Sequence, residues 1–285
     1  MAATAVVTYF HNSSFMVRIG KTLLIFDYWR GEDNRLPLET LLTEHDMAGM
    51  ENILIFVSTS RPDHFDQVIY TFNFDKLPIT YVVGDDLPIG NRGKRIKEGD
   101  TLNVGGVKVT AYASTDVSGI SLYVTVGSIN IFYAGDLNFW HWREESTLRE
   151  VMEAERAFNK AVEPLEALPV DIAMFPVDPR QGGMYDAGAN HFLMTVKPRV
   201  MFPMHFQDRN EIAVNYARHA RNRYTEAIAL TKPREQAEIV FDDTRLTVTV
   251  TAPAPFRMTA PKADVRLDPT PEEDPFSDTD LPVEI

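Results

Sequence analysis

The sequence predicts a layered α/β protein, a sandwich of sheets flanked by helices. Three observations predict it: two strand-length runs apolar almost throughout, a run of short strands around one tight turn, and a long amphipathic helix between strand-rich segments. In chain order, Val6–Tyr9, Phe15–Ile19, Thr22–Tyr28 and Asn52–Val57 read as strands. The last two lack the polar alternation of a half-exposed strand, so helices are expected outside their sheet. Val107–Ala113, Ile120–Thr125 and Ser128–Tyr133 read as an antiparallel meander, with Gly127-Ser128 supplying its last turn. Thr147-Leu-Arg-Glu150 has the form of a capping box. Leu148, Val151, Met152, Phe158, Val162 and Leu165 then recur at helical spacing, which predicts one long helix. Asp171–Val177 and Arg199–Met204 follow as strands, Glu211–Arg223 as a helix, and Ala237–Phe241 and Leu246–Thr251 as closing strands.

Residues 1–252 read as the domain and 253–285 as an acidic, Pro-rich tail. The tail carries Glu272, Glu273 and Asp274 but little that could form a core, so it is expected to be mobile. Phe276 and Leu281 offer anchors for a protein partner, though a solvated acidic end is the simpler expectation. No run approaches the roughly 18 apolar residues of a membrane helix, and nothing at the start resembles a signal peptide, so a cytoplasmic location is the default. A net charge of −13 argues against nucleic acid or an anionic membrane as partner. The absence of cysteine excludes disulfides, thiolate ligands and a cysteine nucleophile, leaving His, Asp and Glu for any metal.

The chemistry collects where apolar strands end. Ser58-Thr59-Ser60-Arg61-Pro62-Asp63-His64-Phe65-Asp66 follows Val57, Ala134-Gly135-Asp136-Leu137-Asn138 follows Tyr133, and His205-Phe206 follows Met204. In layered α/β folds such ends are where sites form. Taken singly, Asp63 reads as a cap, His64 and His205 as core histidines, and Asp136 as a turn residue. Two imidazoles and two carboxylates delivered from three strand ends are, together, a donor set for a divalent ion.

These residues carry a resemblance. From His11-Asn-Ser-Ser-Phe15 through Phe26-Asp27-Tyr28, Ser58–Phe65, Ser114-Thr-Asp116, Ala134–Trp142 and Asp178-Pro-Arg180 to Pro203–Phe206, the chain resembles the metallo-β-lactamase-fold metallohydrolases. It is particularly similar to the bacterial lactonase branch that acts on ascorbate 6-phosphate. The resemblance implies an αββα sandwich with its site along one edge. It also implies a His-x-His-x-Asp-His motif, in which the first two His help to bind one metal and the Asp-His pair helps to bind another. Here Thr59 and Arg61 stand at the first two positions, and Asp116 lies where the family often supplies a further first-metal His. The second-metal set is matched by Asp63, His64, the normally bridging Asp136, and His205. Asp63 and Asp136 are the catalytic candidates as well as metal ligands. His11, Asp27, Asn138 and His141 are candidates for orienting ligands or lining the pocket.

Arg61 is permanently cationic and suited to carboxylates, so turned inward it would replace a missing ion's charge among Asp63, Asp116 and Asp136. Turned outward, it would be a remnant. The Phe139–Trp142 aromatics read as a pocket wall or as core, with at least one Trp in the core. Gly90-Asn-Arg-Gly93-Lys94 reads as a turn, and Arg218, His219, Arg221 and Arg223 as a solvated helix face.

Two functions follow. In one, a single divalent ion, Zn, Mn or Fe, sits on Asp63, His64, Asp136 and His205 and supports hydrolysis of a lactone, ester or phosphoester small-molecule substrate. Two carboxylates would weaken that ion's power to acidify water. In the other, a metal-free pseudoenzyme binds a small molecule or a protein partner through the cleft.

Overall fold

Two sheets carry the fold in the computed structural model, which describes residues 3–31, 36–37, 40–72, 76–87, 93–142, 145–242 and 246–253. The first sheet has eight strands in the order β15-β14-β1-β2-β3-β4-β5-β6. These are β1 (Ala3–His11), β2 (Ser14–Ile19), β3 (Thr22–Phe26), β4 (Asn52–Val57), β5 (Ile79–Gly84), β6 (Gly93–Ile96), β14 (Gln236–Phe241) and β15 (Leu246–Thr251). Pairing is antiparallel from β15 to β3 and parallel from β3 to β6. The second sheet has seven strands in the order β13-β12-β11-β10-β9-β8-β7. Its antiparallel meander is β7 (Thr101–Val104), β8 (Val107–Ala113), β9 (Ile120–Val126) and β10 (Ile129–Tyr133). Its parallel part adds β11 (Ile172–Pro176), β12 (Val200–Met204) and β13 (Glu226–Ala227).

The two-residue period of a strand sorts each side chain to one face. On β3 and β4, Leu24, Phe26, Leu54 and Phe56 join the main core between the sheets. Phe26 stacks on Phe56 at 4.9 Å and on Tyr133, from the opposite sheet, at 4.7 Å. Leu23, Ile25, Ile53, Ile55 and Val57 face the other way, into a second cluster with Tyr28, Leu42, Met47, Ile69 and Leu87. That is why both runs are apolar throughout. The cover over this outer face is thinner than the expected helices: among the described residues it is the single turn α1 (Glu44–Met47) and a 3₁₀ segment, Gln67–Thr71.

The other outer layer is helical. In α2 (Leu148–Val162) the capping box forms as the sequence suggests: Thr147 N donates to Glu150 Oε2 at 2.7 Å, and Glu150 N donates back to Thr147 Oγ1 at 3.3 Å. Its apolar stripe is narrower than expected. Phe158 and Val162 are buried, but Leu148 and Met152 are exposed. Pro164 turns the end into a 3₁₀ segment that holds Leu165. Helix α3 (Ala187–Val196) has no counterpart in the sequence reading, and α4 (Asn210–Ala220) ends before Arg221, whose ψ of 128° leaves the helix. The expected tail lies outside the described residues from 254 onward, as do positions 90–92 of the glycine-bearing turn.

Candidate metal centre

Strands β3 and β4 run parallel, as do β10, β11 and β12, so their carboxyl ends fall on one edge. Asp27 follows β3, Ser58–His64 follow β4, Asp136 follows β10, Asp178 follows β11 and His205 follows β12. The backbone there is tightly shaped. Asp27 (φ 42°) and His205 (φ 63°) lie in the left-handed region that non-glycine residues seldom adopt. At Gly135 (φ 56°) a Cβ would sit 2.7 Å from Ser58 Oγ and 2.9 Å from the Ile120 carbonyl, so glycine lets the Asp136 loop close on β4.

The structure brings Asp63, His64, Asp136 and His205 together. His64 Nε2 lies 3.0 Å from Asp136 Oδ1, and His205 Nε2 lies 3.3 Å from both Asp136 Oδ1 and Asp63 Oδ2. His64 Nε2 is 4.0 Å from Asp63 Oδ2. The two rings are 5.4 Å apart. Despite these distances, His64 Nε2, His205 Nε2 and Asp136 Oδ1 are buried without an aligned hydrogen-bond partner. Ligand atoms of Asp63, His64 and His205 all fall within 4.8 Å of one another, close enough to share one ion. Asp136 falls outside that group of three, although its Oδ1 lies against both imidazoles. Buried N/O atoms left unpaired are costly.

Each imidazole is held from behind. Asp27 Oδ2 accepts from His64 Nδ1 at 2.6 Å, from Tyr133 Oη at 2.8 Å and from Ser58 Oγ at 2.5 Å, while Asp27 Oδ1 accepts from Ser58 N at 2.7 Å. Asp178 Oδ2 faces His205 Nδ1 at 2.8 Å and is itself forked by Arg180 through Nε and Nη2. A carboxylate on Nδ1 keeps the proton there and turns the Nε2 lone pair toward the cluster. Asp27 is the carboxylate against His64 Nδ1. Asp178, Ser58 and Tyr133 were not among the candidates, although Asp178 follows an apolar strand just as the others do.

Charge coupling is strong. Burial lowers the His64 pKa, but the charge and proximity of Asp136, then Asp27, outweigh it and raise it to about 10. His205 is raised by Asp136, Asp178 and Asp63 against the same burial. Burial works to raise Asp63, yet His205 and His64 hold it at about 2, and Asp136 is held well below the usual carboxylate range. The surrounding carboxylates thus favour the charged imidazoles, so an ion binding there would release protons.

Arg61 turns inward. Its Nε lies 3.2 Å from Asp136 Oδ2 and 4.0 Å from Asp63 Oδ1, and Nη1 donates to Asp116 Oδ1 at 3.3 Å. Thr59 is buried, with Oγ1 donating to Asp116 Oδ2 at 3.4 Å. Other candidates stand apart from the cluster. His11 stacks obliquely on Trp29 at 5.6 Å, with its pKa lowered by burial. Asn138 donates to Gln181 Oε1 and packs so close to Gly188 that a Cβ there would lie 2.0 Å from its Oδ1. His141 stacks on Phe139 at 4.3 Å. Both therefore brace the loop after β10 rather than point at the ligands. Trp140 fixes that loop by donating from Nε1 to the Asp136 carbonyl at 2.7 Å, with its ring at 5.8 Å from His205; Trp142 is exposed.

No protein-family model and no curated protein matches the chain. Solved structures do resemble it. A metallo hydrolase from the hyperthermophilic archaeon Ignicoccus hospitalis superposes with a TM-score of 0.60 at 16% identity, covering 84% of this chain and 100% of that one. The metallo-beta-lactamase fold protein YhfI from Bacillus subtilis gives 0.53 at 14%, covering 83% and 99%. CmlA, a diiron beta-hydroxylase from Streptomyces venezuelae, gives 0.51 at 12%, covering 81% of this chain and 53% of that one. What these comparisons show is the fold: this chain has the metallo-β-lactamase fold.

Proposed function

We propose that the protein is a hydrolase with one divalent-ion centre on Asp63, His64, Asp136 and His205, acting on a lactone, ester or phosphoester. The observation that carries this is the set of buried, unpartnered atoms, His64 Nε2, His205 Nε2 and Asp136 Oδ1, each backed or flanked by a carboxylate network that aims it. When bound, a divalent ion supplies Lewis-acid polarisation of a carbonyl, phosphoryl group or water. The chain's residues do the rest. Asp27 and Asp178 fix the imidazole tautomers. Asp63, whose side chain is 27% exposed, is the ligand with an edge open to the cleft, placed to accept a hydrogen bond from water there. The half-exposed Arg180 keeps Asp178 ionised behind His205.

One observation favours the metal-free alternative: Arg61 already supplies a cation to Asp136 and Asp116. The deciding experiment offers a panel of lactones, activated esters and phosphoesters to protein loaded with Zn, Mn or Fe and to protein stripped by chelator. Turnover restored by metal and abolished in Asp63→Asn supports a hydrolase. Metal uptake without turnover of any class would leave a binding protein.

A further inference from the structure

Asp136 is buried, and its two oxygens face different cation positions. Oδ1 lies 3.0 Å and 3.3 Å from the unpartnered imidazole nitrogens, while Oδ2 lies 3.2 Å from Arg61 Nε. The same guanidinium reaches Asp116 Oδ1 at 3.3 Å and stands 4.0 Å from Asp63 Oδ1. Thr59 holds this arrangement from below, since its buried Oγ1 touches both Asp116 Oδ2 and the Arg61 backbone N–H at 3.4 Å. Three carboxylates therefore share one planar cation, beside a second position where nitrogen and oxygen donors lack one. A second divalent ion would need Asp136 Oδ2, Asp116 and the outer oxygen of Asp63, the atoms that the guanidinium already faces. Arg cannot deprotonate to make way, and its fork suits several carboxylates at once.

We propose that Arg61 is the resident second cation of this centre, a positioning residue that limits the site to one exchangeable ion and aims Asp136 Oδ1 at it. The inference rests on the single-ion reading above for the other half of the site. It goes further in giving Asp136 a bridging role between a metal ion and a side chain. Removing the guanidinium leaves three carboxylates facing one another, a repulsion that either destabilises the loops or draws in a cation.

The test uses the full chain as wild type, Arg61→Ala and Arg61→Lys, with Mn²⁺ alone as probe. It is read by native mass spectrometry and by thermal melting with and without chelator. Wild type and Arg61→Lys are expected to hold one ion per chain. Arg61→Ala is expected to melt lower in chelator, by about 4 °C or more, and to recover on Mn²⁺ addition while taking up a second ion. Two ions in the wild type or in Arg61→Lys would overturn the proposal, as would an Arg61→Ala protein matching wild type in both stoichiometry and melting. Failure of the hydrolase reading is separate. Wild type binding no ion would remove that reading, and the chelator melt of Arg61→Ala would still decide for or against the guanidinium as internal cation. Should Arg61→Ala fail to fold, the Arg61→Lys stoichiometry decides.

Discussion

Asp27→Asn is the sharpest probe of how the chain prepares its ligands. Asp27 is fully buried and accepts from Ser58 N, Ser58 Oγ, His64 Nδ1 and Tyr133 Oη. An amide that keeps its oxygen toward Ser58 N presents its NH₂ to the other three groups. The two hydroxyls can rotate, and Tyr133 Oη already has the Ser13 carbonyl at 2.9 Å to donate to. The imidazole can adapt only by moving its proton to Nε2, which puts N–H where a lone pair must face the ion. Stability should fall by about 1–3 kcal/mol, the cost of an imperfectly satisfied buried donor set. Metal affinity should fall by roughly 10–100-fold, as for other groups that orient ligands. Competition for Zn²⁺ against a chromogenic chelator measures the second quantity, and a melt in chelator measures the first. Zinc affinity within about threefold of wild type, well under that range, would refute the claim that Asp27 sets the tautomer.

Other outcomes follow from the same structure. His64 has its pKa raised from 6.5 to about 10, so in metal-free protein its contribution to stability is complete below about pH 6.5 and fades as pH rises through about 10. Asp63 and Asp178, each lowered from 3.8 to about 2, contribute above about pH 3.8 and lose that contribution as pH falls through about 2. The metal-free melting temperature should therefore decline toward pH 10, and saturating Zn²⁺ should flatten that decline by taking the imidazoles deprotonated; a decline unchanged by zinc would count against the site. Thr147→Ala removes the α2 cap and should cost about 1 kcal/mol in urea unfolding. Gly135→Ala forces a Cβ against Ser58 and should cost zinc affinity as well as stability, whereas Gly127→Ala, with open space around it, should leave zinc affinity unchanged.

Much of the architecture is legible in the sequence because β3 and β4 are buried on both faces and β8 to β10 alternate between core and surface. The candidate cluster is legible because Asp136 and His205 closely follow buried strands β10 and β12, and Asp63 and His64 lie on the loop after β4. What escapes has physical reasons. Helix α3 buries Gly188, Ala189, Phe192, Leu193 and Val196 on one face, but the first two are small and the apolar Met194 is exposed on the other side, so the stripe is weak in the sequence; Gly188 makes room for Asn138. Strands β6 and β13 are short and partly exposed, made strands by pairing with β5 and β12 rather than by their own pattern. Asp178 is hard to read as a site residue because its partner, His205, lies 27 positions away and only the parallel register of β11 and β12 sets them side by side.

The central claim, one exchangeable ion beside a fixed guanidinium, is tested most directly by anomalous X-ray scattering at the metal's absorption edge, using crystals of protein purified without chelator or metal-leaching tags. One peak bounded by Asp63, His64, Asp136 and His205, with Arg61 still against Asp136 Oδ2, is the predicted result. A second peak in the position of the guanidinium, or no peak after soaking in zinc or manganese, would contradict it.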